Sequence, residues 1–134
     1  MIFIDSNVLV AYEVKEDSNH ERAVNLIDRI AKGEFDTLFT SDYIFDETIT
    51  VTLVKSKSLE KAILVGQYIM NSTEILKVDV ESFENAWQSF KNQKNTKLSF
   101  TDCTNISLMK DRGIHNLATF DREFKKIESI NVVG

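Results

Sequence analysis

Four acidic residues stand at positions where a nucleotide-handling α/β fold would hold a metal ion. Asp5 ends an apolar run at the start of the chain, and Asp121 follows a later apolar run. Glu47 interrupts an apolar helical pattern, and Asp102 opens another helix. Hard divalent cations bind carboxylate oxygens and waters, and a bound cation stabilises charge on a phosphate. The four acids therefore predict a site that holds a divalent cation against a phosphate.

Length and composition indicate one globular domain over residues 1–134. The chain has 134 residues, of which 43% are hydrophobic and 28% are charged, which are globular values. No apolar run approaches the ~18 residues of a membrane span, and the apolar run at the start meets Asp5 too early for a signal peptide. The single Cys103 excludes an internal disulfide and suits a reducing compartment. We therefore expect a cytoplasmic protein without a membrane partner.

Charge is unevenly distributed along the chain. The net charge is −5, which argues against a general nucleic-acid coat. Residues 1–84 carry 8 Lys/Arg and 16 Asp/Glu, whereas residues 85–134 carry 8 and 5. Lys91, Lys94 and Lys97 recur at helical spacing. A local basic face attracts phosphates even on an acidic chain, although a solvated helix face is an equally good interpretation.

Apolar runs of strand length alternate with longer segments of helical period, which is typical of an α/β domain with a parallel sheet. We predict strands at residues 2–5, 37–40, 74–78, 117–119 and 130–133. We predict helices at residues 7–14, 20–31, 42–54, 59–70, 80–91 and 101–112, and a helical turn at 121–126. In such sheets ligands bind beyond the carboxyl ends of the strands, near the topological switch point. Asp5 and Asp121 both lie at such ends.

Glu47 is the most informative of the acids. On a helix of about 3.6 residues per turn, Glu47 falls between Val51 and Val54 inside the widest apolar arc. Since a buried unpaired charge costs several kcal/mol, we expect Glu47 to face the protein with a cation or a donor as its partner. The alternative is a glutamate at the edge of the arc that reaches solvent.

The other three acids each have a structural alternative. Asp5 and Asp121 are also suited to capping the helical segments that follow them, and Asp102 fits the third position of a capping box. Against the capping interpretation, Asp102 shares one helix face with Ile106 and Met109, which predicts that it points toward the core.

Other motifs are weak. His20 and His115 have no HExxH or paired-cysteine spacing, so zinc is not expected. The sequence has no glycine-rich loop of the kind that binds the phosphates of a nucleotide cofactor, so such a cofactor is not expected. Phe83, Trp87 and Phe90 recur at helical spacing, and we expect them to form core and not a base-stacking platform.

The motifs together resemble those of PIN-domain nucleases, and the chain is close in size to the VapC-like toxin ribonucleases. Residues 2–9 resemble the opening of that family, a strand ending in Asp followed two residues later by Asn or Ser. Glu47 stands where the family places its second acid, and residues 98–102 resemble the segment leading to its third. Residues 117–124 resemble the closing pattern (S/T)-x-D-x-x-F, which is the most specific piece. The resemblance runs nearly end to end.

The resemblance implies a three-layer α/β/α sandwich around a mainly parallel sheet. It also implies Mg²⁺ or Mn²⁺ dependence, cleavage of RNA, a homodimer, and an antitoxin protein that silences a type II toxin. On that basis Asp5 and Asp102 are expected to bind the ion directly, and Asp121 through water or at a second ion. Glu47 is expected to orient the attacking water.

Further residues are expected to support this site. Asn7 and Thr119 are predicted to fix the geometry of the carboxylates. Five basic residues are candidates to attract the RNA backbone: Lys91, Lys94, Lys97, Arg122 and Lys125.

Three alternatives remain at this point. A haloacid-dehalogenase-like phosphatase also opens with a strand ending in Asp, but it requires a second Asp where this chain has Asn7. A phospho-acceptor signalling domain requires an acidic pair beside the first strand and a lysine at the last, which residues 5–7 and 119–121 do not supply. A PIN-like fold without activity would serve as an interaction module.

Overall fold

A sheet of five parallel strands forms the centre of the molecule. The computed structural model describes all 134 residues. The strands lie in the order β3-β2-β1-β4-β5, and every neighbouring pair is parallel. They are β1 (Ile2–Ile4), β2 (Leu38–Ser41), β3 (Glu74–Leu76), β4 (Asn116–Ala118) and β5 (Asn131–Val133). The predicted parallel sheet is confirmed.

Six α-helices and one short 3₁₀ helix connect the strands. They are α1 (Ser6–Glu13), α2 (His20–Ala31), α3 (Asp42–Ser56), α4 (Leu59–Ser72), α5 (Val80–Lys91), α6 (Phe100–Arg112) and the 3₁₀ helix (Arg122–Lys126). The predicted bounds lie within two residues of these, because local signals set the helix ends. Ser58 caps α4, and Gly113, at a φ of 65°, ends α6 in the left-handed region, which glycine adopts without a steric penalty.

The helices form the two outer layers. From β1 to β2 to β3 the chain moves in one direction across the sheet, and right-handed crossovers then place α1 to α4 on one face. The packing agrees, since α1 contacts α2, α3 and α4, whereas α5 packs on α6. The connection from β3 to β4 carries α5 and α6 back across the sheet, on the opposite face. This arrangement is the three-layer α/β/α sandwich that the sequence predicts.

The strand order places the topological switch point of the sheet between the neighbouring strands β1 and β4. All three residues of β1 are fully buried, and β1 pairs with β2 on one side and with β4 on the other. The segments that follow β1 and β4 therefore leave the sheet toward opposite faces. A crevice at this edge is where open α/β sheets bind ligands.

The aromatic side chains of α5 do not form core, and that expectation is wrong. Phe83 and Trp87 are 46% and 47% exposed, and both pack edge-to-face against the ring of Phe100. The buried residues of α5 are the small Ser82 and Ala86. These small side chains form the buried face of α5, so the aromatic rings lie toward the surface.

The three lysines near residue 94 do not share a helix face, because α5 ends at Lys91. Lys94 and Lys97 lie in the irregular segment between α5 and α6. Gln93 closes this segment, since its side chain accepts a hydrogen bond from the Leu98 amide at 2.7 Å and donates one to the Leu98 carbonyl at 2.9 Å. The prediction of a helical basic face is therefore wrong, although the three side chains are all exposed.

No helix of the chain combines the length and the apolar character that a membrane crossing requires.

Candidate active site

The four acids predicted from the sequence lie together at the carboxyl edge of the sheet. Asp5 follows β1 and Asp121 follows β4, and these strands are neighbours with Ile4 opposite Ala118. The charges of Asp102 and Glu47 raise the pKa of Asp5, and those of Asp121 and Glu47 raise the pKa of Asp102. Such mutual effects require that the carboxylates be close to one another. We call these four residues the acidic cluster.

Asp5 is the buried centre of the acidic cluster. Only 4% of its surface is exposed. One carboxylate oxygen accepts a hydrogen bond from the Ser6 amide at 2.8 Å, and the other accepts from the Thr119 hydroxyl at 2.8 Å. Burial is the main cause that raises the pKa of Asp5 to about 7, with smaller contributions from the charges of its acidic neighbours. The hydrogen bonds from Thr119 and Ser6 lower the pKa but do not offset burial.

Asn7 and Thr119 hold Asp5 and Asp121 in one hydrogen-bonded network. The Asn7 amide donates to Asp5 at 3.0 Å and to the Thr119 hydroxyl at 3.0 Å. That hydroxyl donates to Asp5 and accepts from the Asp121 backbone amide at 3.1 Å. The Asn7 carbonyl oxygen accepts from the Phe120 amide at 3.1 Å. Because the Thr119 hydroxyl thereby uses its one donor and both acceptor positions, it ties the end of β1 to the end of β4.

Glu47 is exposed, so its predicted burial is wrong. The buried face of α3 is formed by Ile44, Thr48 and Thr52, whereas Val54 is 69% exposed. The sequence pattern counted the two threonines as polar, yet both are fully buried in the structure. Glu47 lies at the edge of that face, which is the alternative that the sequence left open.

Exposure does not separate Glu47 from the acidic cluster. One of its carboxylate oxygens accepts a hydrogen bond from the Ser6 hydroxyl at 2.9 Å, and Ser6 directly follows Asp5. The other acids of α3 do not share this position. Asp42 accepts from the Val78 backbone amide at 3.0 Å, and Asp46 is exposed without a hydrogen bond. Glu47 is therefore the acid of α3 that reaches the site.

Asp102 and Asp121 act as caps and also belong to the acidic cluster. Asp102 completes a capping box by accepting from the Ser99 amide at 2.8 Å. Asp121 caps the 3₁₀ helix by accepting from the Glu123 amide at 2.9 Å. Each cap uses one carboxylate oxygen and leaves the other for a ligand. Burial and the charges of Asp121 and Glu47 raise the pKa of Asp102, although its bonds to Ser99 oppose this shift.

The donor set suits a hard divalent cation. None of the four acids forms an ion pair with a lysine or arginine, because the ion pairs of the chain all involve other carboxylates. No three His, Cys, Asp or Glu side chains are arranged closely enough to hold an ion together. Mg²⁺, however, is commonly bound by only one or two carboxylates and several waters. The negative charge and free oxygens of the acidic cluster fit that mode of binding.

Two of the predicted basic residues lie beside the acidic cluster. Arg122 and Lys125 line a small cavity that also contacts Asp121. Arg22 lines the same cavity, and the sequence analysis missed it. Its guanidinium lies 4.6 Å from the centre of the Phe120 ring. No local sequence signal marks Arg22, because the residues that surround it come from the far end of the chain.

A cavity of about 700 Å³ lies elsewhere, lined by Ile114, His115 and Ile130 among others. These residues precede β4 and β5, so this cavity opens at the opposite edge of the sheet. None of the four acids contacts it. We place the candidate site at the acidic cluster, because the larger cavity contains none of the four carboxylates that could hold a cation.

Known proteins share the sequence pattern and the fold of this chain. The family model described as PIN domain matches residues 2–130. The 23S rRNA-specific endonuclease VapC20 of Mycobacterium tuberculosis is 27% identical over 136 residues, covering 98% of each chain.

Three solved structures share the fold. The crystal structure of Mycobacterium tuberculosis VapC20, a Sarcin-Ricin loop cleaving toxin, superposes with a TM-score of 0.82 at 22% identity, covering 96% of this chain and 95% of that one. VapBC2 from Rickettsia felis, bound to a DNA fragment from its promoter, gives a TM-score of 0.68 at 18% identity, with 99% and 98% covered. FitAcB from Neisseria gonorrhoeae gives 0.67 at 16% identity, with 100% and 97% covered.

Proposed function

The chain belongs to the PIN domain family, and from this premise we propose that it is an endoribonuclease that hydrolyses phosphodiester bonds of RNA with Mg²⁺ or Mn²⁺. The observation that carries the proposal is the acidic cluster at the switch point, which has no positively charged partner. A metal-dependent nuclease needs such a cluster to bring a divalent cation to a polyanionic substrate. The 23S rRNA-specific endonuclease at 27% identity over nearly the whole chain supports RNA as the substrate.

Asp5 and Asp102 would hold the cation directly, and Asp121 would hold it through water or complete a second site. When bound, the cation would lower the pKa of a water and stabilise negative charge on the scissile phosphate. Asp5 suits this role because Thr119 and Asn7 hold its carboxylate in one orientation, as partners of metal ligands do in other proteins. Its raised pKa also means that cation binding would release a proton near neutral pH.

Glu47 would orient the attacking water and accept its proton. Its carboxylate lies at the solvent-facing edge of the acidic cluster, held by the Ser6 hydroxyl. An exposed carboxylate can exchange its proton with bulk water after each turnover. Positioned general bases commonly contribute about 100- to 10,000-fold to a rate.

We further propose that the protein is the toxin of a type II toxin-antitoxin pair, that it works in the cytoplasm, and that it forms a homodimer. The similarity of the fold to VapBC2 and FitAcB supports an antitoxin partner. Mass measurement by light scattering tests the dimer, and a mass of one chain would exclude it. Co-purification with the product of a neighbouring gene for a small DNA-binding protein tests the partner.

A phosphatase and a catalytically silent interaction module both fit the structure less well. A haloacid-dehalogenase-like phosphatase would place a carboxylate two residues after Asp5. Asn7 occupies that position, and its amide is committed to Asp5 and Thr119. A catalytically silent interaction module would have no need of four neighbouring carboxylates without a positively charged partner.

The test is cleavage of structured RNA, including 23S rRNA, in the presence of Mg²⁺ or Mn²⁺, with cut sites mapped by primer extension. We expect cleavage at defined positions that EDTA abolishes and that the variant Asp5→Asn lacks. Cleavage that persists in EDTA would exclude the cation, and release of phosphate from a small phosphomonoester without RNA cleavage would favour the phosphatase. An intact RNA under all conditions would leave the interaction module as the function.

A further inference from the structure

A small basic cavity adjoins the acidic cluster on the side of Asp121. It has a volume of about 90 Å³ and is lined by Arg22 from α2, by residues that follow β4, and by the 3₁₀ helix. We call it the basic notch, defined by Arg22, Thr119, Phe120, Asp121, Arg122 and Lys125. Three cations therefore border a cavity that shares Asp121 and Thr119 with the candidate active site.

The basic notch has more positive than negative charge, since Asp121 is the one side-chain carboxylate among its lining residues. Arg22, Arg122 and Lys125 form no ion pair, although the chain carries more acidic than basic residues. The ion pairs that do form lie elsewhere, such as those of Lys32 with Asp28 and of Lys126 with Glu123. Three cations and one side-chain carboxylate leave an excess of positive charge around the cavity, which attracts an anion.

Arg22 is held in place without a carboxylate. Its guanidinium lies over the Phe120 ring at 4.6 Å from the ring centre, and it donates a hydrogen bond to the Asn19 side chain at 3.0 Å. Stacking on an aromatic ring orients a guanidinium and leaves further N–H groups free. Arg22 thus presents donors whose geometry matches the oxygens of a phosphate.

The size of the basic notch limits what it can hold. A volume of about 90 Å³ corresponds to roughly three water molecules of about 30 Å³ each. This space accommodates a phosphate group. The size and the excess of positive charge together fit a compact anion.

We propose that the basic notch binds a backbone phosphate of the RNA next to the phosphate that is cleaved at the acidic cluster. This inference rests on the proposed function, because it assigns a second contact to the same substrate. Through the backbone of Phe120 and Asp121 the notch is joined to the network that holds Asp5. A phosphate held in the basic notch sets the register of the RNA strand. The next phosphate of the RNA is then placed at the acidic cluster.

The experiment measures binding of a short RNA spanning the mapped cut site, in the Asp5→Asn background so that the RNA stays intact. Arg22→Gln is compared with Arg112→Gln, which removes the same charge from an exposed position at the far end of α6. We expect Arg22→Gln to weaken RNA binding about tenfold and to reduce the slope of log Kd against log salt by about 0.7 to 1. Arg112→Gln should change neither. Circular dichroism checks that both variants fold.

A second measurement locates the phosphate. RNAs with one neutral methylphosphonate at successive linkages are bound to the Asp5→Asn protein and to Asp5→Asn combined with Arg22→Gln. We expect one linkage beside the cut site to weaken binding when neutral, and to lose this effect in the double variant. Equal behaviour of Arg22→Gln and Arg112→Gln would overturn the notch assignment while wild-type cleavage upholds the proposed function. Absence of RNA cleavage by the wild type would overturn both.

Discussion

Asp5 and Glu47 both contribute a carboxylate to the acidic cluster, but one carboxylate is buried and the other is exposed. Asp5 is 4% exposed and accepts hydrogen bonds from Ser6, Asn7 and Thr119. Glu47 is exposed and accepts one hydrogen bond, from Ser6. Burial and neighbouring charges raise the pKa of Asp5 to about 7. The difference teaches that a rigid, poorly solvated carboxylate suits holding a cation, and that an exposed one suits handling water and protons.

The largest effect is expected from removing the buried charge. Asp5→Asn keeps the side-chain volume but removes the negative charge at the centre of the acidic cluster. We expect RNA cleavage to fall by more than about 1,000-fold, since loss of one member of a catalytic unit commonly costs at least that. The initial rate of cleavage in Mg²⁺ measures it, with circular dichroism as the check on folding. Cleavage within tenfold of the wild type would contradict a central role for Asp5.

Removing the exposed charge should reduce activity and leave stability unchanged. We expect Glu47→Gln to lower the rate of RNA cleavage by about 100-fold, within the range for a general base. The melting temperature should not change, because the side chain is exposed.

Asp46→Asn provides the matched control for Glu47→Gln. Asp46 precedes Glu47 on α3, is exposed, and makes no hydrogen bond. We expect its substitution to leave cleavage at the wild-type rate. If both variants lost activity equally, general negative charge on α3 would explain the effect better than the position of Glu47.

The network that distinguishes Asp5 from Glu47 can be weakened without touching either acid. Thr119→Val removes the hydroxyl that binds Asp5, Asn7 and the Asp121 amide. We expect a 10- to 100-fold loss of activity, roughly that for losing the partner of a metal ligand, and about 1–3 kcal/mol of destabilisation because buried groups lose their partner. Thr119→Ser keeps the hydroxyl and should retain most activity. Equal activities of the two variants would show that the hydroxyl does not orient Asp5.

The smallest effect expected is a pH dependence of stability without a divalent cation. An acid with a raised pKa binds its proton more tightly in the folded protein, so stability falls as pH rises from the unfolded pKa of about 4 toward 7. For Asp5 at about 7, the free energy of unfolding should fall by roughly 2 kcal/mol between pH 5.5 and pH 7.5. Urea denaturation with EDTA measures it.

Asp5→Asn serves as the control for the pH experiment, because amides do not titrate. We expect this variant to lose most of the fall in stability between the two pH values, and excess Mg²⁺ to reduce it in the wild type. An equal fall in wild type and Asp5→Asn would assign the effect to other groups. The pKa of the buried Asp5 would then be less raised than its surroundings indicate, and its contrast with the exposed Glu47 would be smaller.

Most of the fold could be predicted because its signals are local. Helix α2 and helix α5 have the predicted bounds, and the others differ by two residues at most. Capping residues such as Ser58 and Ser99 are recognised within four residues of sequence. The parallel sheet followed from the alternation of apolar runs with helical segments, whereas the order of its strands is known only from the structure.

The prediction of the site was less complete, because it depends on packing between distant elements. Glu47 was expected to be buried, since valines count as apolar and threonines as polar, yet α3 buries Thr48 and Thr52 against its neighbours. Arg22 was overlooked, because its aromatic partner Phe120 is remote in sequence.

The sequence by itself determined which residues are candidates for the site and, to within two residues, where each helix and strand lies along the chain. Asp5 and Asp121 end apolar runs, and that local fact is enough to place them at the carboxyl edge of a parallel sheet. Only the tertiary structure decided which face of α3 is buried, that Asp102 serves both as a cap and in the acidic cluster, and that Arg22 borders Asp121. The reason is physical, since capping and strand formation depend on neighbours in sequence, whereas burial, charge interactions and cavities depend on groups that only folding brings together.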